Sequence, residues 1–307
     1  MSGKKPFKAG FVAISGRPNV GKSTLINGLV GESIAITSPK PQTTRHLIRG
    51  VYDDEEAQIV FVDAPGINRP KFQLDRQMQK TASLAIEEGD LILLLIDARF
   101  KPYVDRVERR VTNRAKESGK PIILVINKVD IAKKDRILPL IAAFNEYHTY
   151  DAIVPISAKT GEGYGVLLNE MKRLLPEGEP FFNDGQFTDQ TERTLAAEII
   201  RSEVLNQTRE EIPHGVAIDI ETFDETVENG ERVRVLIEAT IITERDSHKL
   251  ILIGKHGQQI KQLGTRARGR IGDMLGCPCD LKLYVKVRDR WRDRPEQLRS
   301  LGFTEQS

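Results

Sequence analysis

The stretch Gly16-Arg17-Pro18-Asn19-Val20-Gly21-Lys22-Ser23 lies between an apolar run, Phe11 to Ser15, and a helical pattern that begins near Thr24. A strand feeding a glycine-rich turn and then a helix aims successive backbone N–H groups and a helix N-terminus at one point. That geometry suits a polyphosphate. Lys22 can reach the β- and γ-phosphates, and Ser23 can offer its hydroxyl to Mg²⁺. Gly16 to Thr24 are therefore the candidate phosphate-binding residues, with Lys22 a candidate catalytic group.

With 307 residues, 39% of them hydrophobic, the chain can bury real cores and is long enough for about two domains. The formal net charge of +2 argues neither for nor against a nucleic-acid partner, so the placement of charge matters more than its sum. Met1 to Lys5 is basic, but no long apolar core follows, and it does not read as a signal peptide. No run approaches membrane-spanning length. Cys277 and Cys279 alone make half a metal site at best, and are expected to be ordinary reduced thiols of a cytoplasmic protein.

After the glycine loop, Leu25, Ile26 and Leu29 continue an apolar helix face expected to end near Gly28 and Gly31. Residues 32–45 are polar and broken by Pro39 and Pro41, a candidate switch. Within it Gln42-Thr43-Thr44-Arg45 supplies hydroxyls, Thr44 above all, that can complete a Mg²⁺ shell; a plain solvated loop is the competing reading. Two strands follow, 46–52 and 58–62, the second delivering Asp63-Ala64-Pro65-Gly66. Asp63 can hold the magnesium through a water, and the Gly66 N–H can meet the γ-phosphate. Leu91 to Ile96, ending in Asp97, and Pro121 to Ile126 read as parallel strands buried on both faces, which makes this an α/β domain.

Base recognition is legible at Asn127-Lys128-Val129-Asp130. The Asp130 carboxylate can accept from guanine N1–H and N2–H₂, two donors that adenine lacks, and a site built on that pair rejects adenine strongly. Lys128 can lay its stem along the base. Ser157-Ala158-Lys159, after the strand 152–156, places the Ala158 N–H where it can donate to guanine O6.

Pro176 to Gly185, rich in proline and glycine, marks a domain boundary, with Asp189 a plausible N-cap for a helix carrying Leu195, Ile199, Ile200 and Val204. Three strands with period-two alternation follow, around 216–221, 232–241 and 281–288, as in a sheet covered on one face. Between the second and third lies Leu250-Ile251-Leu252-Ile253, by periodicity a strand, then Gly254-Lys255-His256-Gly257 and a helix on Ile260, Leu263, Ala267 and Ile271. Close-set glycines before a basic helix let a phosphodiester backbone approach main-chain N–H groups. From Lys249 to Arg294 there are twelve Lys or Arg against four Asp or Glu, an excess that favours a polyanion. Gly254, Lys255, His256, Gly257 and Lys261 are the candidate residues for that polyanion, which the KH resemblance described below implies is RNA.

The first set of motifs resembles the translation-factor-related GTPases: the loop 16–23, Thr44, Asp63 to Gly66, Asn127 to Asp130, and Ser157 to Lys159. The order helix, strand, strand, Ile-Gly-Lys-His-Gly, helix, strand resembles a type II KH domain, which implies a short helix before the loop in place of the strand and a groove for about four single-stranded nucleotides. Together, with Pro-Gln-Thr-Thr-Arg in the first switch and the segment around Trp291 and Leu301-Gly302-Phe303, the chain resembles the Era-type bacterial GTPases. That resemblance implies a P-loop GTPase domain with a mostly parallel sheet (1–177), a linker (178–188), an α+β type II KH domain (189–290) and a tail (291–307). It implies GTP and GDP with Mg²⁺, and binding to 16S ribosomal RNA in maturation of the 30S subunit. It also implies peripheral association with the inner membrane and a monomer. Two departures stand out. Ala64 replaces the usual threonine, and Ile67 stands where Ras-like proteins place the glutamine that orients water, so intrinsic hydrolysis is expected to be slow. Asn19 occupies the place of a cation-binding asparagine in potassium-stimulated relatives; it is equally a plain turn residue. A GTP-dependent RNA scaffold that does not use hydrolysis, and a P-loop kinase, are the competing functions; Asn127 to Asp130 argues against the kinase.

Overall fold

The computed structural model describes residues 6–36, 44–45, 47–63, 65, 70–208 and 212–303. The chain divides into two units: Met1–Pro70 with Met78–Asp189, and Lys71–Gln77 with Gln190–Ser307.

The first unit contains β1 (Lys8–Gly16), α1 (Lys22–Val30), β2 (Ile48–Asp53), β3 (Ala57–Asp63) and most of α2 (Gln73–Glu88). It continues through β4 (Leu91–Asp97), α3 (Arg106–Ser118), β5 (Ile122–Asn127), α4 (Ile137–Tyr147), β6 (Ala152–Ile156) and α5 (Tyr164–Leu174). The sheet order is β2-β3-β1-β4-β5-β6, parallel throughout except for the β2–β3 pair. β4 and β5 are buried along their whole length, the reason their sequences are unbroken Leu, Ile and Val up to the polar terminal residue. Register sets Ile14 beside Asp63, Gly16 beside Leu95 and Asp97 beside Asn127, so the polar strand ends converge at one sheet edge.

α1 passes through Gly28 and ends only at Gly31, a left-handed cap with φ 85° whose N–H donates to Asn27 O. Gly28 has a different reason to be glycine: a Cβ there would lie 2.1 Å from the Tyr164 hydroxyl. The segment read as a linker is bonded to this unit. Gln58, fully buried, accepts from the Phe181 and Phe182 N–H groups and donates to Phe182 O, while Val51 N–H donates to Phe187 O and Thr188 Oγ1 to Arg49 O. Asp189 pairs with Arg49 at 2.8 Å, and the cap of the next helix is Thr191 instead, whose Oγ1 accepts from Thr194 N–H.

The second unit holds α6 (Glu192–Gln207), β7 (Ala217–Glu228), β8 (Glu231–Thr243), α7 (Asp246–Ile253), α8 (Gln258–Leu275), β9 (Cys279–Val287) and α9 (Pro295–Ser300). β7 and β8 form a long antiparallel hairpin and β9 adds parallel to β8, giving a three-stranded sheet packed on α6 and α8. The apolar run 250–253 is the end of α7, not a strand. Only Leu252 faces the core, while Leu250 and Ile251 are 71% and 53% exposed, and Gly254 stops the helix. Cys277 and Cys279 are free, buried thiols, and burial pushes Cys279 up to about 11.

The segment expected as a separate tail belongs to this unit. Trp291 is fully buried, donates from Nε1 to Gly215 O at 2.9 Å and stacks on Phe303. Lys71–Gln77 joins it there: Arg292 lies 3.7 Å over the Phe72 ring, the Gln73 N–H donates to Asp293, and Gln77 Nε2 donates to Phe303 O. Trp291 is the sole tryptophan, so its emission reports on this unit alone. Phe303→Ala is expected to lower the urea midpoint read by that emission by an amount equivalent to about 2–4 kcal/mol; an unchanged midpoint would show that the terminal segment adds nothing to the core.

Candidate functional site

The phosphate end of the site is built where β1 gives way to α1. Gly16 is needed because a Cβ would sit 2.3 Å from Leu95 O, and Gly21 because its φ is 104° and a Cβ would lie 2.3 Å from Asn127 Nδ2. Asn19 takes φ 63° between them, a left-handed turn position, and is exposed, while Pro18 is half-buried, Val20 buried and Thr24 in the first turn of α1. Lys22 is buried, with Nζ 3.4 Å from Arg17 O; burial lowers its pKa against the opposing field of Asp63. Arg17 turns its side chain away from the loop, binding Glu108 of α3 through two hydrogen bonds of 2.6 and 2.9 Å and pairing with Asp105 at 3.1 Å. Only its backbone is left to meet a phosphate.

Three of the expected metal-site residues come together. Asp63, fully buried at the end of β3, accepts through Oδ2 from Ser23 Oγ at 2.8 Å and Thr44 Oγ1 at 3.0 Å, and the two hydroxyls are 3.1 Å apart. Its Oδ1 accepts no hydrogen bond among the described residues. Burial raises its pKa, opposed by Lys22 and by the Ser23 and Thr44 hydroxyls. A buried carboxylate with one oxygen unsatisfied beside two hydroxyls fits a hydrated Mg²⁺. Among the described residues no cluster of three His, Cys, Asp or Glu offers a competing site. Gly66 and Ile67, Gln42 and Thr43 lie outside the described residues.

The base end is held by one side chain. Asn127, buried, donates from Nδ2 to Val20 O at 2.7 Å, and its Oδ1 accepts from the N–H groups of both Lys128 and Ala158 at 2.8 Å. The Ala158 N–H, expected at guanine O6, thus donates to Asn127 here. Lys128, at φ 70°, binds Asn19 O through Nζ at 2.6 Å and Asp97 at 2.9 Å, which leaves its stem to flank a base. Asp130 is exposed, and its carboxylate accepts no hydrogen bond among the described residues, so both oxygens are available. Ser157 is buried and its Oγ accepts from Thr160 N–H; Lys159 is exposed.

Three supporting residues escaped the motif reading. Asp97 ends β4 beside Asn127 and holds Lys128 and Arg99. Burial alone would raise it, but the hydrogen bonds from Arg99 and Lys128 prevail and bring it down to about 2. Its signal was the acid closing an otherwise apolar strand. Tyr164 donates to Ala158 O at 2.9 Å and so fixes the last loop, and Glu108 secures Arg17; neither is marked by a local pattern.

In the second unit Gly254 (φ 72°) and Gly257 (φ 74°) bracket exposed Lys255 and His256, the latter itself left-handed at φ 52°. A Cβ on Gly254 would meet Gln259 Cβ at 2.6 Å; at Gly257 it would meet nothing, so the backbone there is open. Gly257 caps α8 without a side-chain hydrogen bond, the Gln258 N–H donates to Lys255 O, and the helix N-terminus, with Lys261 exposed one turn on, presents its positive end to an anion.

A family described as 50S ribosome-binding GTPase matches residues 11–128, and the KH domain family matches 211–292. GTPase Era of Geobacter metallireducens is 44% identical over 97% of this chain and 99% of its own, and that of Clostridioides difficile is 44% identical with the same coverage. Among solved structures, a variant of Aquifex aeolicus Era bound to GDP and aluminium fluoride superposes with a TM-score of 0.91 at 42% identity, covering 97% of this chain and 100% of that one. Era in complex with MgGDPNP and nucleotides 1506–1542 of 16S ribosomal RNA superposes equally well, at 41% identity over 97% and 99% of the two chains. With a nucleotide cradle in one unit, a G-x-x-G loop in the other and this likeness along nearly its whole length, the chain belongs to the Era family of GTPases.

Proposed function

We propose that this protein is a GTP-hydrolysing switch that holds a segment of 16S ribosomal RNA on its KH domain and acts in assembly and maturation of the 30S subunit. The observation that carries the nucleotide half is the Asn127 side chain, which fastens the phosphate loop and the Ala158 loop around one point and leaves the Asp130 carboxylate open to the base. The open, uncapped backbone at Gly257 and the basic excess around it support the RNA half, as does the solved relative that carries MgGDPNP and 16S nucleotides together.

In this reading the backbone of 16–24 cradles the phosphates and the Lys22 ammonium, kept dry by burial, offsets charge that builds on the transferred phosphoryl group. Ser23, Thr44 and, through water, Asp63 are the residues that would hold Mg²⁺, which when bound neutralises phosphate oxygens. Water is the nucleophile. The Ile67 side chain has no polar atom with which to orient it, so turnover is slow until a partner or a monovalent cation near Asn19 assists. Loss of the γ-phosphate releases the segments that include Thr44 and Gly66. Lys71–Gln77, a few residues beyond Gly66, is grouped with the RNA-binding unit, which supports control of RNA binding by nucleotide state. We further propose a cytoplasmic monomer with peripheral attachment to the inner membrane; no described helix is long and apolar enough to cross one.

Asp130→Asn is expected to weaken GTP binding at least ~100-fold and to gain binding of xanthosine triphosphate, whose C2 carbonyl suits an amide donor; unchanged nucleotide preference in a competition titration would refute guanine recognition by Asp130. Asp97→Asn should weaken GTP and GDP equally, roughly 5- to 50-fold, with the guanosine-to-inosine preference retained, because Asp97 acts through Lys128. A folded-state value near 2 against an ordinary 3.8 makes Asp97 stabilising above about pH 4, a contribution lost as pH falls toward 2. The unaltered protein should therefore lose more stability than the Asn variant across that interval in acid denaturation. Turnover compared in KCl and NaCl checks the cation: a higher rate in KCl is expected, and equal rates remove the role given to Asn19.

A further inference from the structure

α3 carries Arg106, Arg109, Arg110, Arg114 and Lys116 within one 13-residue helix. Its inner face is Val111, Thr112 and Ala115. On the outer face Arg106, Arg109, Arg110 and Asn113, at spacings of three and four, line an open groove of about 730 Å³ with Tyr103, which is 52% exposed, and with Asp105, whose carboxylate is paired with Arg17. Among the described residues no carboxylate lies within ion-pairing distance of Arg106, Arg109 or Arg110. The nearby acids are committed elsewhere: Asp105 and Glu108 to Arg17, and Glu87 to Arg114. Like charges one turn apart destabilise a helix, so three arginines that ion-pair with none of the neighbouring acids are relieved by an anionic partner.

The groove is also organised in advance. Arg109 Nε donates to Val104 O at 2.9 Å, its guanidinium lies 5.2 Å over the Tyr147 ring, and the Tyr147 hydroxyl donates to Asn113 Oδ1 at 2.9 Å. A held guanidinium, an exposed aromatic ring and a side-chain amide around a nucleotide-sized space are the chemistry of single-stranded nucleic acid: phosphate contacts from arginine, stacking from the ring, hydrogen bonds from the amide. A membrane-surface helix would instead set large apolar side chains beside its cations, and on α3 Val111 and Ala115 face the core while Val107, half-buried, is the one other apolar side chain longer than a methyl.

We propose that this α3 groove is a second RNA contact, in which Arg106, Arg109 and Arg110 bind the phosphodiester backbone of one strand and Tyr103 stacks a base. It lies in the GTPase unit and involves none of the G-x-x-G residues.

The test uses the full chain with Arg106→Gln and Arg110→Gln together, and separately Tyr103→Ala, titrated with full-length 16S ribosomal RNA over a KCl series. A short oligonucleotide from the 16S 3′ end and phosphatidylglycerol vesicles serve as the other probes. For the double variant the plot of log affinity against log salt should be shallower by about 1.4–1.8, with affinity near 0.1 M KCl down roughly 10- to 50-fold. Tyr103→Ala should cost roughly 5- to 100-fold without changing the slope. Both variants should keep native affinity for GTP and for the short oligonucleotide. Unchanged slope and affinity for the long RNA overturn the proposal, as does a loss confined to the vesicles. Failure of the unaltered protein to bind the short oligonucleotide would count against the KH reading alone, because the long-RNA slope would still decide this one.

Discussion

One buried amide holds the nucleotide site together. Buried away from water, Asn127 donates an amide N–H to Val20 O, and its one oxygen accepts from the N–H groups of both Lys128 and Ala158. Those three backbone positions belong to loops after β1, β5 and β6, far apart in sequence. Gly21 is glycine partly because the same amide needs its space. An apolar residue at 127 would leave three backbone groups to find new partners, so the fold of the loops and the affinity of the site rest on the same bonds.

Around that point the charges are arranged in a chain. Lys128 reaches back to Asn19 O and across to Asp97, which also holds Arg99. On the other side Arg17 leaves the phosphate loop to seat itself against buried Glu108. The phosphate loop is thus held at both flanks by ion pairs whose acids are nearly or wholly out of solvent, where removing one partner costs far more than at the surface. The cluster of Ser23, Thr44 and Asp63 sits between these restraints, with its one unsatisfied carboxylate oxygen.

What could be read from the chain alone follows from which constraints are local. The strand-turn-helix at 8–30, the acid after β3 and the Asn127 to Asp130 turn are legible because each needs particular residue types at adjacent positions. Asp97, Glu108 and Tyr164 were not legible as site residues, because their partners are distant in sequence and an acid or a tyrosine at such positions is common. The run 250–253 deceived for a different reason: four apolar residues have no period, and only the exposure of Leu250 and Ile251 separates a helix end from a strand. Proline and glycine between 176 and 185 marked a change in chain character, but could not disclose that Gln58 holds that segment to the first sheet. Nor did Trp291 and Phe303 announce that they close the core of the second unit.

We propose that GTP state governs engagement of the 3′ region of 16S ribosomal RNA. It is tested most directly by crosslinking the protein to RNA in growing cells, in GTP-locked and GDP-bound forms, and sequencing the sites. Crosslinks are expected to concentrate in that region and to be enriched in the GTP-locked form. Scattered messenger RNA crosslinks, or a 16S signal indifferent to the nucleotide, would contradict it.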